Sequence, residues 1–345
     1  MTGITRREAL ALFGGASGAV ALALTGCGSS AAPSAESGSS SSGGSATGSS
    51  SAVRIGSLKG PTSIGLAYLM DQANSGKTAQ QYSFTMTSTP DDLLPSVIKG
   101  DLDVALVPAN AASVLYNKTN GAVSVIDVNT LGVLSVVTGD TSVRDFSSLA
   151  GRTVYLTGKG ASPEYVMNYL LSAAGIAEQV TLEFKSEAEE VVSELANDAT
   201  AVGVLPQPFV TVATTKNSNL VAAIDLNDVW DATVTDGSKL VMGVTVARND
   251  FMQANADVID QFLEDHSASV DEANTDPDEV APMVVSAGVL DNEQIAAKAI
   301  PGCHLVCTTG SDMQDELAGY LSILYNQNAS SVGGALPADN FYYLG

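Results

Sequence analysis

Cysteine and histidine, the residues best suited to metal or nucleophilic chemistry, are scarce in this chain. Its 345 residues include three Cys and two His. Cys303 and Cys307 flank His304, but a structural zinc site needs a full tetrahedral set of ligands. The other histidine, His266, lies beside acidic residues on what the pattern predicts as an exposed helix. We therefore expect no metal site and no cofactor.

The chain also lacks a recognisable set of residues for hydrolysis. A nucleophilic serine needs a positioned base, and the chain lacks the Gly-x-Ser-x-Gly turn of the α/β-hydrolases. Asp and Glu outnumber Lys and Arg 38 to 15, for a net charge of −23, whereas nucleic-acid binding needs clustered basic residues. These residue types predict a protein that is not an enzyme and has no nucleic-acid partner.

The N-terminal segment has the pattern of an export signal. A twin-arginine pair at residues 6–7 precedes an uncharged stretch at residues 9–26, and small residues lead directly to Cys27. We expect residues 1–27 to be a lipoprotein signal peptide with its lipobox Cys27, exported by the Tat or the Sec route. A lipid on Cys27 would anchor the protein to the outer face of the cell membrane. Residues 28–52 are nearly all Ser, Gly and Ala, which is typical of a disordered tether.

Export also bears on the two clustered cysteines. Extracytoplasmic compartments favour disulfides, but the short span between Cys303 and Cys307 makes such a bond sterically demanding. The pattern leaves two states open, a Cys303–Cys307 disulfide or two free thiols.

From residue 53 onwards, short β-branched apolar runs alternate with amphipathic stretches. The runs predict strands, and their alternation with helical patterns indicates an α/β fold with mostly parallel sheets. One helix is clearly delimited, with Ser162 as its N-cap, Pro163 as its first residue and Gly175 as its stop signal. The predicted strands are Val53–Leu58, Asp103–Val107, Val123–Val128, Val133–Thr138, Thr153–Thr157, Val180–Phe184, Ala201–Leu205, Leu220–Ile224 and Val241–Ala247.

One order of motifs occurs twice. A strand, a Lys-Gly loop and a helix follow one another around Lys59 and again around Lys159, and a later strand in each half ends in proline, at Pro108 and Pro206. The repetition predicts two similar lobes. Ligands of open α/β sheets bind beyond the carboxyl ends of the strands, where helix N-termini offer free N–H groups. We therefore expect a small molecule to bind between the lobes. Its predicted contacts are Lys59, Pro61, Thr62, Ser63, Asn110, Gly160, Ala161, Ser162 and Gln207.

Five segments carry a resemblance to a known family: Val104–Ala112, Tyr155–Tyr165, Leu205–Val210, Ala299–Cys303 and Gly333–Pro337. With these motifs, Val53–Leu344 resembles the substrate-binding lipoproteins of ABC transporters of the nitrate/sulfonate/taurine type. That group includes binders of thiamine-pyrimidine precursors. The resemblance therefore extends over almost the whole chain after the predicted tether.

The resemblance implies a two-lobed type II periplasmic-binding fold, each lobe a mostly parallel sheet flanked by helices, with two crossover hinge strands. Lobe 1 would comprise residues 53–129 and 246–345, and lobe 2 residues 130–245. Gly132 and Gly243 lie in the two crossings, where small residues can absorb hinge rotation.

The implied function is that of a solute-binding component of an ABC importer, and we expect a monomer. It would capture a sulfonate, a nitrate-like anion or a heterocyclic vitamin precursor in the cleft and deliver it to an ABC permease in the membrane. Two alternatives stay open: an anchored ligand sensor, and an enzyme on the same scaffold.

Overall fold

Two β-sheets organise residues 52–345, the part of the chain that the computed structural model describes. The predicted signal peptide, Cys27 and residues 28–51 of the predicted tether lie outside the described residues. The strands are β1 (Val53–Leu58), β2 (Tyr82–Thr87), β3 (Val104–Pro108), β4 (Val123–Thr130), β5 (Leu134–Thr138), β6 (Thr153–Leu156), β7 (Thr181–Phe184), β8 (Val202–Pro206), β9 (Val221–Asp225), β10 (Gly243–Arg248) and β11 (Leu305–Thr308).

The two sheets repeat one strand order. Sheet A runs β2-β1-β3-β10-β4-β11, and sheet B runs β7-β6-β8-β5-β9. Position by position, the first five strands of sheet A correspond to the five of sheet B. We call sheet A with its helices lobe 1, and sheet B with its helices lobe 2. The prediction of two similar lobes from the repeated motifs is confirmed.

Each sheet is mixed rather than mostly parallel, since four of the nine neighbouring strand pairs are parallel. The reason is the path of the chain. It leaves lobe 1 at the end of β4 and enters sheet B as β5, and it later returns into sheet A as β10. Both entering strands start at the carboxyl edge of their new sheet, so both run antiparallel to their neighbours.

All nine predicted strands are present, with ends shifted by at most two residues. The sequence reasoning missed β2 and β11. Strand β2 forms the edge of sheet A and alternates half-buried with exposed side chains over part of its length, so it lacks a continuous apolar run. Strand β11 contains Cys307, and the sequence reasoning considered this segment only for a disulfide or two free thiols.

Helices cover both sheets and set the ends of the loops between them. They are α1 (Pro61–Ile64), α2 (Ala67–Asn74), α3 (Pro90–Lys99), α4 (Ala109–Lys118), α5 (Ser162–Ala173), α6 (Ala188–Asn197), α7 (Phe209–Lys216), α8 (Leu226–Thr233), α9 (Asn249–Ala254), α10 (Ala256–Thr275), α11 (Pro277–Ser286), α12 (Glu293–Ala299) and α13 (Gly310–Gln327). In the described residues, no helix is long and apolar enough to span a membrane.

The long helix α13 joins the cores of the two lobes. It packs on β4 and α4 of lobe 1 and on α5 of lobe 2. Its Tyr320 lies 5.7 Å, centroid to centroid, from Trp230 of α8, and Tyr169 of α5 packs on the same indole at 5.2 Å. The Trp230 N–H donates to the carbonyl of Ser238 at 3.2 Å. This buried aromatic cluster positions lobe 2 against the C-terminal part of the chain.

Candidate ligand-binding cleft

The carboxyl ends of the central strands of lobe 1 meet at one level. Gly243, the first residue of β10, pairs with Pro108 at the end of β3 and with Thr130 at the end of β4. A Cβ at residue 243 would lie 2.5 Å from Thr62 Cγ2 and closer still to Asn129 Oδ1. Real Cβ atoms do not tolerate such contacts, so glycine is required here for the loop after β1 to approach β10.

Lobe 2 has the equivalent edge. Leu134, the first residue of β5, pairs with Pro206 at the end of β8, and the Gln207 N–H donates to the Val133 carbonyl at 3.0 Å. Three residues connect Thr130 to Leu134, a link that spans at most about 14 Å when fully extended. The carboxyl edges of the two sheets therefore lie close together along the chain, with the predicted loops beside them.

The predicted contact residues in the loop after β1 differ in burial and in hydrogen bonding. Lys59 is exposed, and Pro61 and Thr62 are half-buried in the single turn α1. Ser63 is fully buried, and its hydroxyl donates to the Leu58 carbonyl. The Ser63 hydroxyl is thus already used inside lobe 1, and Thr62 is the side chain that lies against β10.

Asn110 is tied to the C-terminal segment. It is the second residue of α4, and its Nδ2 donates to the Ser331 carbonyl at 3.3 Å. Half of this side chain is covered. Its hydrogen bond fixes the chain end on lobe 1, which is a structural role beside the predicted ligand contact.

The loop after β6 is more open. Gly160 is exposed with φ 75°, and its N–H donates to the Glu164 carboxylate at 2.5 Å. The N-cap of α5 is Ala161, without a side-chain cap, and Ser162 is the first helical residue. The prediction of Ser162 as N-cap is therefore wrong by one position, since the helix begins at Ser162 and Pro163 is its second residue.

Gln207 forms one of the direct contacts between the lobes. It is buried, and its Oε1 accepts a hydrogen bond from the Thr211 hydroxyl at 2.9 Å. Its Nε2 points at Gly302, where a Cβ would lie only 2.6 Å away. Gly302 belongs to the turn Ile300–Cys303 on the lobe 1 side. The close approach of this amide to the other lobe thus requires glycine at residue 302.

His304 and Tyr165 bridge the lobes beside this contact. The His304 ring bonds through Nδ1 to the Gly132 carbonyl, and its Nε2 lies 3.5 Å from the Asp225 carboxylate. Burial raises the pKa of Asp225 above its usual value. The Gln327 side chain donates to the Tyr165 carbonyl at 2.7 Å. Gly132, predicted as a hinge, therefore lies in the crossing between β4 and β5 and is held by a histidine from the C-terminal part.

Two lysines carry exposed positive charge on the predicted contact loops. Lys59 and Lys159 occupy equivalent loops after β1 and β6 and are exposed. The Lys159 ammonium lies 6.0 Å from the ring centroid of Phe184. By contrast, Arg54 and Arg248 pair with the buried Asp103. Each lobe thus carries one ammonium group on the exposed loop that follows its equivalent strand.

A cavity that the sequence did not predict lies on lobe 2. It has a volume of about 700 Å³ and is lined by residues of α5, α8 and β9, with Arg144 and Phe146 at one side. None of the nine predicted contact residues lines it. Since its lining comes from a single lobe, this groove is a surface feature of lobe 2 and differs from the interlobe cleft.

The two cysteines of the C-terminal segment are free, so the disulfide alternative is wrong. The Cys303 thiol donates to the Ala299 carbonyl, whereas Cys307 lies on β11 beyond the left-handed residue His304. The Cys307 thiol faces the Leu263 carbonyl of α10 at 3.9 Å, so the two sulfur atoms have different neighbours. Burial raises the pKa of Cys303 to about 12.

One group of potential metal ligands exists in the described residues, formed by Asp127, His266 and Cys307. The prediction that His266 lies on the surface is wrong, since it is fully buried. The signal that would have located it is the stripe Ile259, Phe262, His266, Val270 and Ala273, all buried at helical spacing along α10. The acidic neighbours of His266 occupy the other face of the same helix.

Residues 54–298 match the family described as menaquinone biosynthesis, a match that covers more than half of the chain. The chain belongs to this family. No curated protein sequence matches it.

Members of the same fold are found among transport proteins. A crystal structure of an ABC transporter from Parabacteroides distasonis is similar with a TM-score of 0.72, at 22% identity, covering 85% of this chain and 98% of that one. The periplasmic aliphatic sulphonate binding protein of Escherichia coli gives 0.64 at 12% identity, covering 83% and 92%. The alkanesulfonate-binding protein of Xanthomonas axonopodis pv. citri, bound to MOPS, gives 0.56 at 12%, covering 83% and 94%. The family member described here therefore has the two-lobed fold of periplasmic binding proteins.

Proposed function

We propose that this protein is the extracytoplasmic solute-binding component of an ABC importer, which captures a small molecule between its lobes and delivers it to a membrane permease. The observation that carries the proposal is the pair of equivalent carboxyl edges joined by the three residues between Thr130 and Leu134. In open α/β sheets this edge is where ligands bind. Closure about Gly132 and Gly243 would then bury the ligand and present one closed state to the permease.

Sulfonates are the ligand class to test first. Two proteins of similar fold are named for aliphatic sulphonate and alkanesulfonate binding. In this chain, Lys59 and Lys159 offer one ammonium from each lobe, and Thr62 offers a hydroxyl beside β10. A nitrate-like anion or a heterocyclic vitamin precursor would use the same backbone N–H groups.

The N-terminal pattern supports the location. Small residues before Cys27 are typical of lipid attachment, and the Ser/Gly-rich residues 28–52 suit a tether between membrane and binding domain. We propose a monomer held at the outer face of the cell membrane. The lobe boundaries 53–129 with 246–345, and 130–245, stay a prediction.

A thermal-shift panel tests the function. It contains alkanesulfonates, nitrate, bicarbonate, hydroxymethylpyrimidine, thiamine, riboflavin and short peptides, added to purified protein stripped of carried-over ligand. A ligand that binds only the folded state adds about 2.7 kcal/mol of stability at 100 times its Kd. We expect a dose-dependent rise in Tm with one class, alkanesulfonates. No rise with any class would contradict the proposal.

A matched pair of variants locates the site. Thr62→Val removes the hydroxyl at the cleft edge, and Thr214→Val makes the same change on α7, where the hydroxyl bonds within its own helix. One lost hydrogen bond costs about 0.5–1.5 kcal/mol, so Thr62→Val should raise Kd roughly 2- to 10-fold. Thr214→Val should leave Kd unchanged. Equal affinities in the two variants would remove Thr62 from the site.

An enzyme on the same scaffold is the second candidate, because the description of the family names a biosynthetic pathway. His304, beside Asp225 at the lobe contact, is the imidazole placed to transfer a proton there. A binding protein returns its ligand unchanged, whereas an enzyme converts it. Proton NMR of each stabilising compound after prolonged incubation separates the two, and turnover would favour the enzyme.

A further inference from the structure

A second cluster of functional groups lies inside lobe 1, away from the cleft contacts. Asp127 of β4, His266 of α10 and Cys307 of β11 each present a ligand atom, and these atoms all lie within 4.8 Å of one another. His266 Nδ1 is 3.2 Å from Asp127 Oδ2 and 4.0 Å from Cys307 Sγ. Adjacent strands and the covering helix thus bring a carboxylate, an imidazole and a thiol to one point.

These separations suit a tetrahedral metal ion. With metal–nitrogen and metal–oxygen bonds of about 2.1 Å and metal–sulfur bonds of about 2.3 Å, neighbouring ligand atoms lie about 3.3–3.8 Å apart. The separations of 3.2 and 4.0 Å bracket this range. A thiolate with an imidazole and a carboxylate is a donor set for Zn²⁺ rather than for Mg²⁺ or Ca²⁺, which prefer oxygen ligands alone.

The surroundings hold two of the three groups in place. The Thr245 hydroxyl donates to Asp127 Oδ1 at 2.8 Å, which leaves Oδ2 directed at His266, and Asn129 Nδ2 donates to the same hydroxyl at 3.2 Å. The Phe262 ring stacks on the imidazole, with centroids 5.5 Å apart. Such outer contacts orient the ligands of natural metal sites.

The cluster is reachable and electronegative. Cys307 lines a surface cavity of about 450 Å³, together with the acidic residues Glu264 and Asp271. His266 and Asp127 are fully buried behind it. Within the described residues, His266 Nε2 is buried without a hydrogen-bond partner, so Nδ1, which faces Asp127 and Cys307, is the ring nitrogen available to a metal ion. A cation entering from this side meets negative charge before it meets the ligands.

We propose that Asp127, His266 and Cys307 form a Zn²⁺ site in lobe 1, with a fourth coordination position open to the cavity. On binding, the Cys307 thiol gives up its proton to solvent and the sulfur forms the bond to zinc. The ion then links β4, β11 and α10 directly below the crossing that leads to lobe 2.

Zinc retention measures the site directly. The full chain carrying Cys27→Ser is reduced, stripped of metal, loaded with Zn²⁺ and dialysed, and its zinc content is determined by mass spectrometry. We expect one zinc per chain and a rise in Tm. Loading with Co²⁺ should give a sulfur-to-cobalt charge-transfer band. A parent protein that retains no zinc would overturn the proposal.

Two single-atom substitutions form the matched comparison. Cys307→Ser removes the ligand sulfur and should weaken Zn²⁺ binding by more than the roughly 10- to 100-fold that outer contacts contribute, with loss of the cobalt band. Cys303→Ser makes the same change at a buried thiol that bonds to the Ala299 carbonyl, and zinc binding should persist. Thermal unfolding of both variants without metal verifies that each is folded. Unchanged zinc affinity in folded Cys307→Ser would assign the metal to surface carboxylates and overturn the proposal.

Discussion

The strand that enters each sheet from the opposite lobe starts with a different residue in the two halves of the molecule. In lobe 1 it is Gly243, paired with Pro108, and in lobe 2 it is Leu134, paired with Pro206. Around Gly243, the side chains of Thr62 and Asn129 occupy the space that a Cβ would need. Leu134 instead fills its own space and is 2% exposed. At the first residue of the entering strand, lobe 1 is therefore polar and lobe 2 is apolar.

The same contrast continues below the edge. In lobe 1, buried Asp127, Thr245 and Asn129 are joined by hydrogen bonds across β4 and β10. In lobe 2, the entering strand carries Val136 and Val137 at its centre, both fully buried. Hydrogen bonds are directional, whereas apolar packing tolerates small shifts. At this level lobe 1 is therefore held by buried hydrogen bonds and lobe 2 by apolar packing.

Alanine substitution of the first residue of β5 and of β10 tests this contrast, and it has the largest expected effect on the free energy of unfolding. Leu134→Ala should cost about 2–5 kcal/mol, because it leaves a cavity in a packed core. Gly243→Ala should cost about 1–3 kcal/mol, because the new methyl group overlaps its neighbours. Urea unfolding measures both changes in the free energy of unfolding.

The control for lobe 1 is a second substitution. Thr62→Ser removes the Cγ2 atom that crowds residue 243, so it should recover part of the loss in Gly243→Ala while having little effect on the parent protein. Additive losses in the double variant would show that the overlap is relieved elsewhere, and would break the assignment of a close approach at this edge.

Two buried threonines on the entering strands give the next comparison. Thr245→Val leaves the Asp127 carboxylate without its hydroxyl donor and should destabilise by about 1–3 kcal/mol, the cost of an unsatisfied buried group. Thr138 accepts a hydrogen bond from the Asp140 N–H of the adjacent turn, so Thr138→Val should cost less, about 1 kcal/mol. Thermal and urea unfolding of the pair measure the difference, and equal losses would contradict a polar framework specific to lobe 1.

The smallest expected effects concern pH, since an aspartate in lobe 1 and another in lobe 2 make stability depend on pH in opposite directions. Burial alone would raise the pKa of Asp103 in lobe 1, but hydrogen bonds from Arg54 and the charge of Arg248 outweigh it, so this pKa is lowered. Its stabilisation is present above the ordinary aspartate pKa of about 3.9 and is lost as pH falls through the lower folded value. Burial raises the pKa of Asp225 in lobe 2, so stability falls as pH rises from about 3.9 through the higher folded value.

Asparagine variants separate these two contributions. The stability advantage of the parent protein over Asp103→Asn should shrink as pH falls below about 4. Relative to Asp225→Asn, the parent should lose stability as pH rises above about 4. Urea unfolding at a series of pH values measures both differences, and the same sign of slope for both would refute the contrast.

Sequence patterns predicted the frame of the molecule better than its contacts. Segments such as Val104–Pro108 can be recognised as strands from the sequence, because every residue but the last is buried. The edge strand β2 has no such run, and β11 is only four residues long. The repeated motif around Lys59 and Lys159 predicted two similar lobes, and the two sheets do share one strand order. The prediction succeeded because equivalent loops follow equivalent strands.

The contacts of individual side chains depend on partners far away in the chain. Ser63 was predicted to face the ligand, but its hydroxyl bonds to the Leu58 carbonyl. Asn110 bonds to a residue 221 positions later, and no local pattern encodes this pairing. The burial of His266 was readable from helical periodicity, but its proximity to Asp127 and Cys307 arises only when β4, β11 and α10 are assembled.

The insertion of β10 between β3 and β4 also sets an order of folding. All five strands of sheet B lie within residues 134–225, so this sheet can form from one continuous segment. Sheet A brings together strands from residue 53 to residue 308, and β3 and β4 have no contact as neighbours until β10 arrives. Closing such long loops is entropically costly. During synthesis from the N-terminus, sheet B of lobe 2 can therefore form before β10 is available to complete sheet A of lobe 1. A substitution that slows the docking of β10 would leave the edges of β3 and β4 unpaired for longer and open to aggregation.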